Sequence, residues 1–390
     1  MLRLGIIGAG GIASLHTHNI LSGKCPEVQL TAMADRKESR REWIRATVPD
    51  AAVFCEGSDL IASDTCDAVL IATPHYQHPT LAIEAFRHGK HVLCEKPAGV
   101  YTLQVRDMIA EADKHPELTF GMMFNQRTNC VYRKAKELID SGALGEIKRM
   151  IWVVTDWYRT QSYYDAGAWR ATWDGEGGGV LLNQAPHNLD LWQWICGMPA
   201  SVTAFCDTAR YHHIEVEDDA TLFTRYENGT TGLFVTSTGE YPGTNRLEIS
   251  GTLGKLVLEG GALKWWKLRE PEERVRFTSQ ENFSQIAMDY EEIRPTEKES
   301  AHAGVLQNFA GAILSGEPLL SPGEDGVQEL TLSNAAYLSQ WLGNKPVGLP
   351  FDTELFDRLL SEKAAGSAYA PGASSAQPDG RYGSRWQVNW

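Results

Sequence analysis

Long uninterrupted apolar runs are missing from this 390-residue chain. Without a stretch of about 20 apolar residues there is nothing to cross a bilayer as a helix. Positive charge is also short: 36 Lys and Arg stand against 50 Asp and Glu, a formal net charge of −14. That balance repels a polyphosphate backbone or an anionic lipid surface, so neither nucleic acid nor membrane is expected as a partner. Cysteine is sparse and unpatterned. Cys25, Cys55, Cys66, Cys94, Cys130, Cys196 and Cys206 include no Cys-x-x-Cys pair and no companion histidine at zinc spacing, as in a reducing compartment. The first residues, Leu2-Arg3-Leu4-Gly5-Ile6-Ile7, lack the basic stretch, apolar core and small-residue cleavage site of a secretory signal, and a cytoplasmic protein is expected.

What is present is an ordinary globular composition, 43% hydrophobic and 22% charged, long enough for two domains. Short apolar runs at Leu2–Ile7, Val28–Ala34, Ala68–Ala72, His91–Cys94 and Thr119–Phe124 read as strands. Amphipathic segments at Gly11–Leu21, Lys37–Ala46, Thr80–Arg87 and Thr102–Lys114 read as the helices between them. This is the α/β pattern of a doubly wound parallel sheet over residues 1–125. From 126 to 363 the pattern becomes α+β. Closely spaced strands from Ile147–Trp157 to Ala262–Lys267 form a large, mostly antiparallel open sheet, and helices are expected at Val131–Ser141, Ala303–Leu314 and Val327–Leu342. Residues 364–390 read as a tail, linker-like to Gly380 and then ending in an aromatic and basic cluster at 381–386, which either docks on a neighbouring subunit or frays.

Gly8-Ala9-Gly10-Gly11-Ile12-Ala13 follows the first strand and opens a helix, the context a G-x-G-x-x-A dinucleotide fingerprint requires. Gly8 allows the tight turn, Gly10 lets backbone approach a pyrophosphate, and Ala13 lets the helix lie close to the strand. The first domain is therefore read as a Rossmann domain. Asp35, ending the second strand, can accept hydrogen bonds from ribose hydroxyls and repels a 2′-phosphate, which favours NAD. Arg36 beside it keeps NADP open. Thr73, Pro74, His75 and His78 follow the third apolar run at the carboxyl edge where ligands bind; a simple proline-terminated turn is the alternative.

Glu95 and Lys96 end the next strand, again on the carboxyl edge. A lysine there can take up a proton if burial lowers its pKa, although a surface Glu-Lys pair before Pro97 would look the same. Gly177-Gly178-Gly179 permits close approach of backbone to a ligand and leads through Asn183 to a helix that begins near Pro186 and carries His187 and Asp190, three apart and on one face. His212, His213, Glu215, Glu217, Asp218 and Asp219 are read as solvated strand-edge charges, and no metal is assigned.

With these motifs together, from the glycine fingerprint through Glu95-Lys96-Pro97 and the His187 motif to Leu319–Gly326, the chain resembles the Gfo/Idh/MocA oxidoreductases, a family named for glucose-fructose oxidoreductase and inositol dehydrogenase. The resemblance implies hydride transfer between a nicotinamide and a hydroxyl-bearing carbon of a sugar, inositol or glycoside. It also implies that Lys96 and His187 handle the proton and the substrate. An aspartate commonly stands four residues before the histidine in that family. Here it is Asn183, which can hydrogen-bond a hydroxyl but cannot take its proton. Tyr158, Arg159, Trp169 and Arg170 are read as a carbohydrate wall, with a packed sheet edge or subunit contact as the alternative. Two other functions stay open: an NAD-dependent glycosidase or epimerase-like enzyme with transient oxidation, and a non-catalytic NAD(H)-binding regulator. The antiparallel sheet is expected to pack on a twin in a homodimer or homotetramer.

Overall fold

The computed structural model describes residues 1–167, 169–295 and 299–369. The first sheet holds β1 (Leu2–Ile7), β2 (Val28–Ala34), β3 (Ala52–Phe54), β4 (Ala68–Ile71), β5 (His91–Cys94) and β6 (Phe120–Met122), all parallel, in the order β3-β2-β1-β4-β5-β6. Its strands are short and apolar because helices cover both faces; every residue of β4 is buried. The order reverses between β1 and β4. A crevice opens there beyond their carboxyl ends, at Gly8 and Ala72.

The second sheet holds β7 (Ile147–Val154), β8 (Ser201–Thr208), β9 (Glu217–Arg225), β10 (Thr231–Ser237), β11 (Asn245–Gly251), β12 (Gly254–Glu259), β13 (Ala262–Leu268), β14 (Met288–Ile293) and β15 (Val347–Gly348). Their order is β14-β13-β12-β11-β7-β10-β9-β8-β15, antiparallel except where β7 meets β10. Alternation sets the two faces. On β8, Val202, Ala204 and Cys206 are buried, under the helix Gly326–Trp341, while Phe205 between them is exposed. The helices Cys130–Asp140 and Pro186–Cys196 pack together on the same side. The opposite face carries no element among the described residues.

After β14 the chain returns to the first domain. The helix Ala301–Ser315 packs Leu306, Phe309 and Ala310 into a core shared with Leu2, Leu4 and Ile6 of β1. Met122 N–H then donates to the Ser321 carbonyl at 2.9 Å, which ties the segment before the helix Gly326–Trp341 to the edge of the parallel sheet.

Several elements were absent from the sequence reading. β3 is three residues long, the helix Gly57–Ala62 is six, and β14 is exposed up to its last residue, Ile293. The helix Thr353–Ala365, whose N-terminus is capped by the Asp352 carboxylate accepting from Leu355 N–H at 3.0 Å, occupies the end of the expected second domain and runs past its limit at 363. The tail cluster at 381–386 lies outside the described residues.

Candidate active site

The glycine fingerprint sits where β1 turns into the helix Gly11–Leu21. Gly8 has φ +89°, and a Cβ there would meet the Ala72 carbonyl oxygen at 2.6 Å, so only glycine makes this turn. Gly10 differs: a Cβ on it would meet nothing within 4 Å, and its space is open to a ligand. Ala13 is fully buried against the sheet. Gly11 and Ile12 begin the helix, whose first N–H groups face the turn. The Asp35 carboxylate accepts from Ala9 N–H and from Lys37 N–H, both at 2.8 Å, and so stands fixed beside the fingerprint. Arg36 points away to pair with Glu56 at 2.8 Å on the surface. Across the crevice the Thr73 hydroxyl is buried with no hydrogen-bond partner among the described residues. Open space at Gly10, a helix N-terminus, a fixed carboxylate at the end of β2 and an orphaned hydroxyl together fit a dinucleotide.

The ends of β4 and β5 are held together by His78, whose ring nitrogens lie 2.7 Å from the Pro97 carbonyl and 2.8 Å from that of Thr73. Pro74 introduces a short turn from which His75 Nδ1–H donates to the Glu176 carbonyl at 3.0 Å and the Tyr76 hydroxyl donates to the Trp173 carbonyl at 2.8 Å. These two bonds seat the 169–177 loop of the second domain on the first. Trp169 then meets His75 edge to face at 5.4 Å.

Lys96 donates from Nζ to the Asn183 carbonyl at 2.7 Å. Burial is the largest influence on its ammonium and pushes the pKa down to about 8, although the Glu95 and Glu176 carboxylates pull the other way. Glu95 does not pair with its neighbour Lys96. It is buried against His16, with Nε2 at 2.7 Å from the carboxylate, and His16 in turn packs edge-on against His302. Burial alone would raise Glu95, but the His16 bond and the surrounding cations outweigh it and keep the carboxylate below its ordinary value. His187 is buried in the first turn of Pro186–Cys196, and burial holds its imidazole well below the usual value and therefore neutral.

The Asn183 side chain is occupied as well. Its amide donates to Glu176, and its Oδ1 accepts from the Tyr163 hydroxyl at 3.2 Å. Arg170 donates to the same hydroxyl at 2.8 Å, and its guanidinium lies 4.6 Å over both the Tyr163 and Trp169 rings. Lys96, Asn183, Trp169, Arg170 and His75 thus converge, with Tyr163 among them. Arg159 supports Tyr163 from 5.1 Å but spends its donors on the carbonyls of Trp157 and Tyr158. Tyr158 is not brought into this group; its ring pairs with that of Tyr241, and both are exposed.

The Asp190 carboxylate is held by Arg127 at 2.9 and 2.5 Å, and Arg127 also reaches Asp325 at 2.6 Å. One expectation needs correction. Glu217 and Asp218 are not solvated. Glu217 is buried and accepts from Gly179 N–H, Leu181 N–H and the Tyr337 hydroxyl at 2.7–2.9 Å, bracing the glycine run from behind, and burial pushes its pKa up to about 7. A Cβ on Gly179 would strike the Glu217 carbonyl. Asp218 is buried under the N–H groups of Arg210, Tyr211 and His212 and under the His212 ring.

Sequence reasoning passed over Arg127, Glu176 and Glu329. Glu329 is fully buried, with neither carboxyl oxygen bonded among the described residues; burial first, and Asp190 after it, hold its pKa well above the carboxylate range. Among the described residues no group of three or more His, Cys, Asp or Glu side chains is placed to hold a metal.

A parallel sheet with a dinucleotide cradle at its switch point, closed by a lysine and a histidine from two domains, defines a nicotinamide-dependent oxidoreductase. Residues 2–122 match the model of the oxidoreductase family with an NAD-binding Rossmann fold, and residues 132–257 match the GFO/IDH/MocA C-terminal domain. The chain belongs to the Gfo/Idh/MocA family, and its cofactor is NAD. It is 25% identical over 341 residues to the myo-inositol 2-dehydrogenase of Thermotoga maritima, covering 86% of this chain and 95% of that one. It is also 25% identical over 354 residues to the inositol 2-dehydrogenase of Rhizobium meliloti, covering 87% and 96%. The WlbA dehydrogenase of Bordetella pertussis, solved with NADH and UDP-GlcNAcA, superposes with a TM-score of 0.74 at 26% identity, covering 90% of this chain and 99% of the other.

Proposed function

We propose that this enzyme oxidises a secondary hydroxyl of a sugar or cyclic polyol, with Lys96 receiving the hydroxyl proton and His187 holding the substrate oxygen. The observation that carries the reading is Lys96. It is half-buried at the carboxyl edge beside the cofactor cradle, its pKa is brought down to about 8, and it lies 2.7 Å from the chain segment that leads to His187. Gly8, Ala9, Gly10, Gly11 and Ile12, with Asp35, Thr73 and Pro74, would hold NAD, which would supply the hydride acceptor. A neutral lysine amine takes the proton as the hydroxyl oxygen is freed to form a carbonyl. His187, kept neutral, offers a hydrogen bond without competing for that proton. Trp169 presents an aromatic face, and Arg170 and Asn183 present donors and acceptors, for a ring bearing several hydroxyls.

The names of the relatives, inositol dehydrogenases and an enzyme that binds a nucleotide sugar, support this substrate class. Exposed Phe205 and Phe223 on the helix-free face of the second sheet support a homo-oligomer in which that face packs on a second copy, and seven free thiols suit the cytoplasm. The test is NADH formation with purified protein across inositols, aldoses and glycosides. One class reduces NAD and loses that capacity in Lys96→Ala and His187→Ala. Product formation without NADH accumulation would favour transient oxidation instead.

A further inference from the structure

We infer that Glu176 is the ionised carboxylate that orients Asn183 and helps hold the proton on Lys96, a positioning residue that acts without touching substrate. The inference rests on the reading of Lys96 as the base.

Glu176 stands at the head of the glycine run and is 2% exposed. Everything that meets its carboxylate is a donor or a cation. Ala171 N–H reaches Oε2 at 2.7 Å, the Asn183 amide donates to Oε1, and Arg170 lies 3.7 Å from Oε1. A protonated acid would need an acceptor, and none of these is one, so the geometry holds the group as an anion. Burial pushes its pKa above the ordinary carboxylate value, and these three contacts pull it only part of the way back.

The backbone around it leaves little freedom. Glu176 N–H and Gly177 N–H both donate to the Thr172 carbonyl at 3.0 Å, and the Glu176 carbonyl accepts from His75. On one side a Cβ at Gly175 would meet the Trp169 carbonyl oxygen at 2.5 Å. On the other, Gly177 has φ +81° and lies against Val100. The chain turns tightly on both sides of a single acidic side chain.

Asn183 links that anion to Lys96. Because its amide nitrogen faces Glu176, its Oδ1 faces Tyr163, and its backbone carbonyl receives the Lys96 ammonium at 2.7 Å. The other charged or titratable groups around Lys96 come from every neighbouring element. Glu95 on its own strand is committed to His16. Glu329, from the helix Gly326–Trp341, is kept neutral by burial. His75, His78, His187 and His302 are all held below their ordinary values by burial and contribute little charge. Arg170 opposes a charged Lys96, and Glu176 is the anion beside Arg170 that offsets it. Removing the Glu176 charge therefore weakens the opposition to Arg170, while Glu95 still pulls the Lys96 pKa up.

The experiment is the pH profile of kcat/KM for oxidation, measured on full-length protein with NAD for the wild type, Glu176→Gln and Glu176→Asp, beside thermal melts. In the oxidation direction the base must be neutral, so activity rises with pH through the Lys96 pKa. In Glu176→Gln that rise moves to lower pH by about one unit, and in Glu176→Asp it stays close to the wild-type position. If Glu176→Gln does not fold, Glu176→Ser, which leaves room for water at Ala171 N–H, carries the same expectation. A folded neutral variant whose profile does not move overturns the inference. Lys96→Ala, run in parallel, separates the two claims. If it is inactive while the Glu176→Gln profile is unmoved, only the role of Glu176 falls; if it remains active, the reading of Lys96 falls as well.

Discussion

Replacing Arg127 by methionine should cost far more than the loss of an ordinary ion pair, and the structure says why. Arg127 is 1% exposed and donates twice to Asp190, which is fully buried, and once to Asp325, which is 29% exposed on its side chain. Asp325 can turn to water when its partner is lost. Asp190 cannot, and a buried carboxylate stripped of its cation costs about 3–5 kcal/mol. For a domain of this size, about 2–4 °C per kcal/mol converts this to a fall in Tm of about 6–20 °C. The loss should depend on pH with a definite sign. Burial already raises the folded-state pKa of Asp190 above its unfolded value, and without Arg127 it rises further, so the folded variant binds the proton more tightly. Its stability is then fullest in acid and falls as pH rises through the new folded pKa. Adding Asp190→Asn removes the orphaned charge and recovers most of the loss. Calorimetric melts of the two single variants and the double variant, at pH 5 and pH 8, measure this. A fall under about 3 °C for Arg127→Met, or additive losses in the double variant, would refute the reasoning.

Gly10→Ala should leave the Tm of the free protein unchanged, since a Cβ there meets nothing within 4 Å and φ is −73°; it should weaken NADH binding about tenfold or more by fluorescence titration, because that space is where the pyrophosphate approaches. Glu329→Gln should alter the melt at pH 6 by less than about 1 kcal/mol, since the carboxyl is already neutral. It should also flatten the alkaline side of the Tm profile, because a carboxyl with a raised folded pKa gives stability that is lost as pH rises through that value. Tyr369→Phe should raise KM for the substrate about two- to fivefold with kcat nearly unchanged: the Tyr369 hydroxyl donates to Asp165 at 2.7 Å and accepts from Gln161 at 3.2 Å, and so steadies the helix Gln161–Asp165 that carries Tyr163.

Local rules made much of the fold legible. β1, β2, β5 and the first helix have the limits that their apolar runs, glycine turn and caps indicated, because each is set by contacts within one βαβ unit. The fingerprint and Lys96 were legible for the same reason: they lie at strand ends, and strand ends are visible in sequence. Glu176 and Arg127 were not. The partners of Arg127 lie 63 and 198 residues away in the chain, and Glu176 owes its importance to Arg170, Ala171 and Asn183 folding around it; no local period announces either. Glu217 and Asp218 misled because two acids at a strand start look solvated, whereas here one braces the glycine run and the other closes the 210–212 turn.

The most direct test of the account follows the hydrogen itself, using a substrate deuterated at the carbon to be oxidised, with the products weighed by mass spectrometry. The account expects one deuterium in each NADH formed, one carbonyl product per NADH, and no turnover in Lys96→Ala. Deuterium retained in the sugar product while NAD shows no net reduction would contradict it.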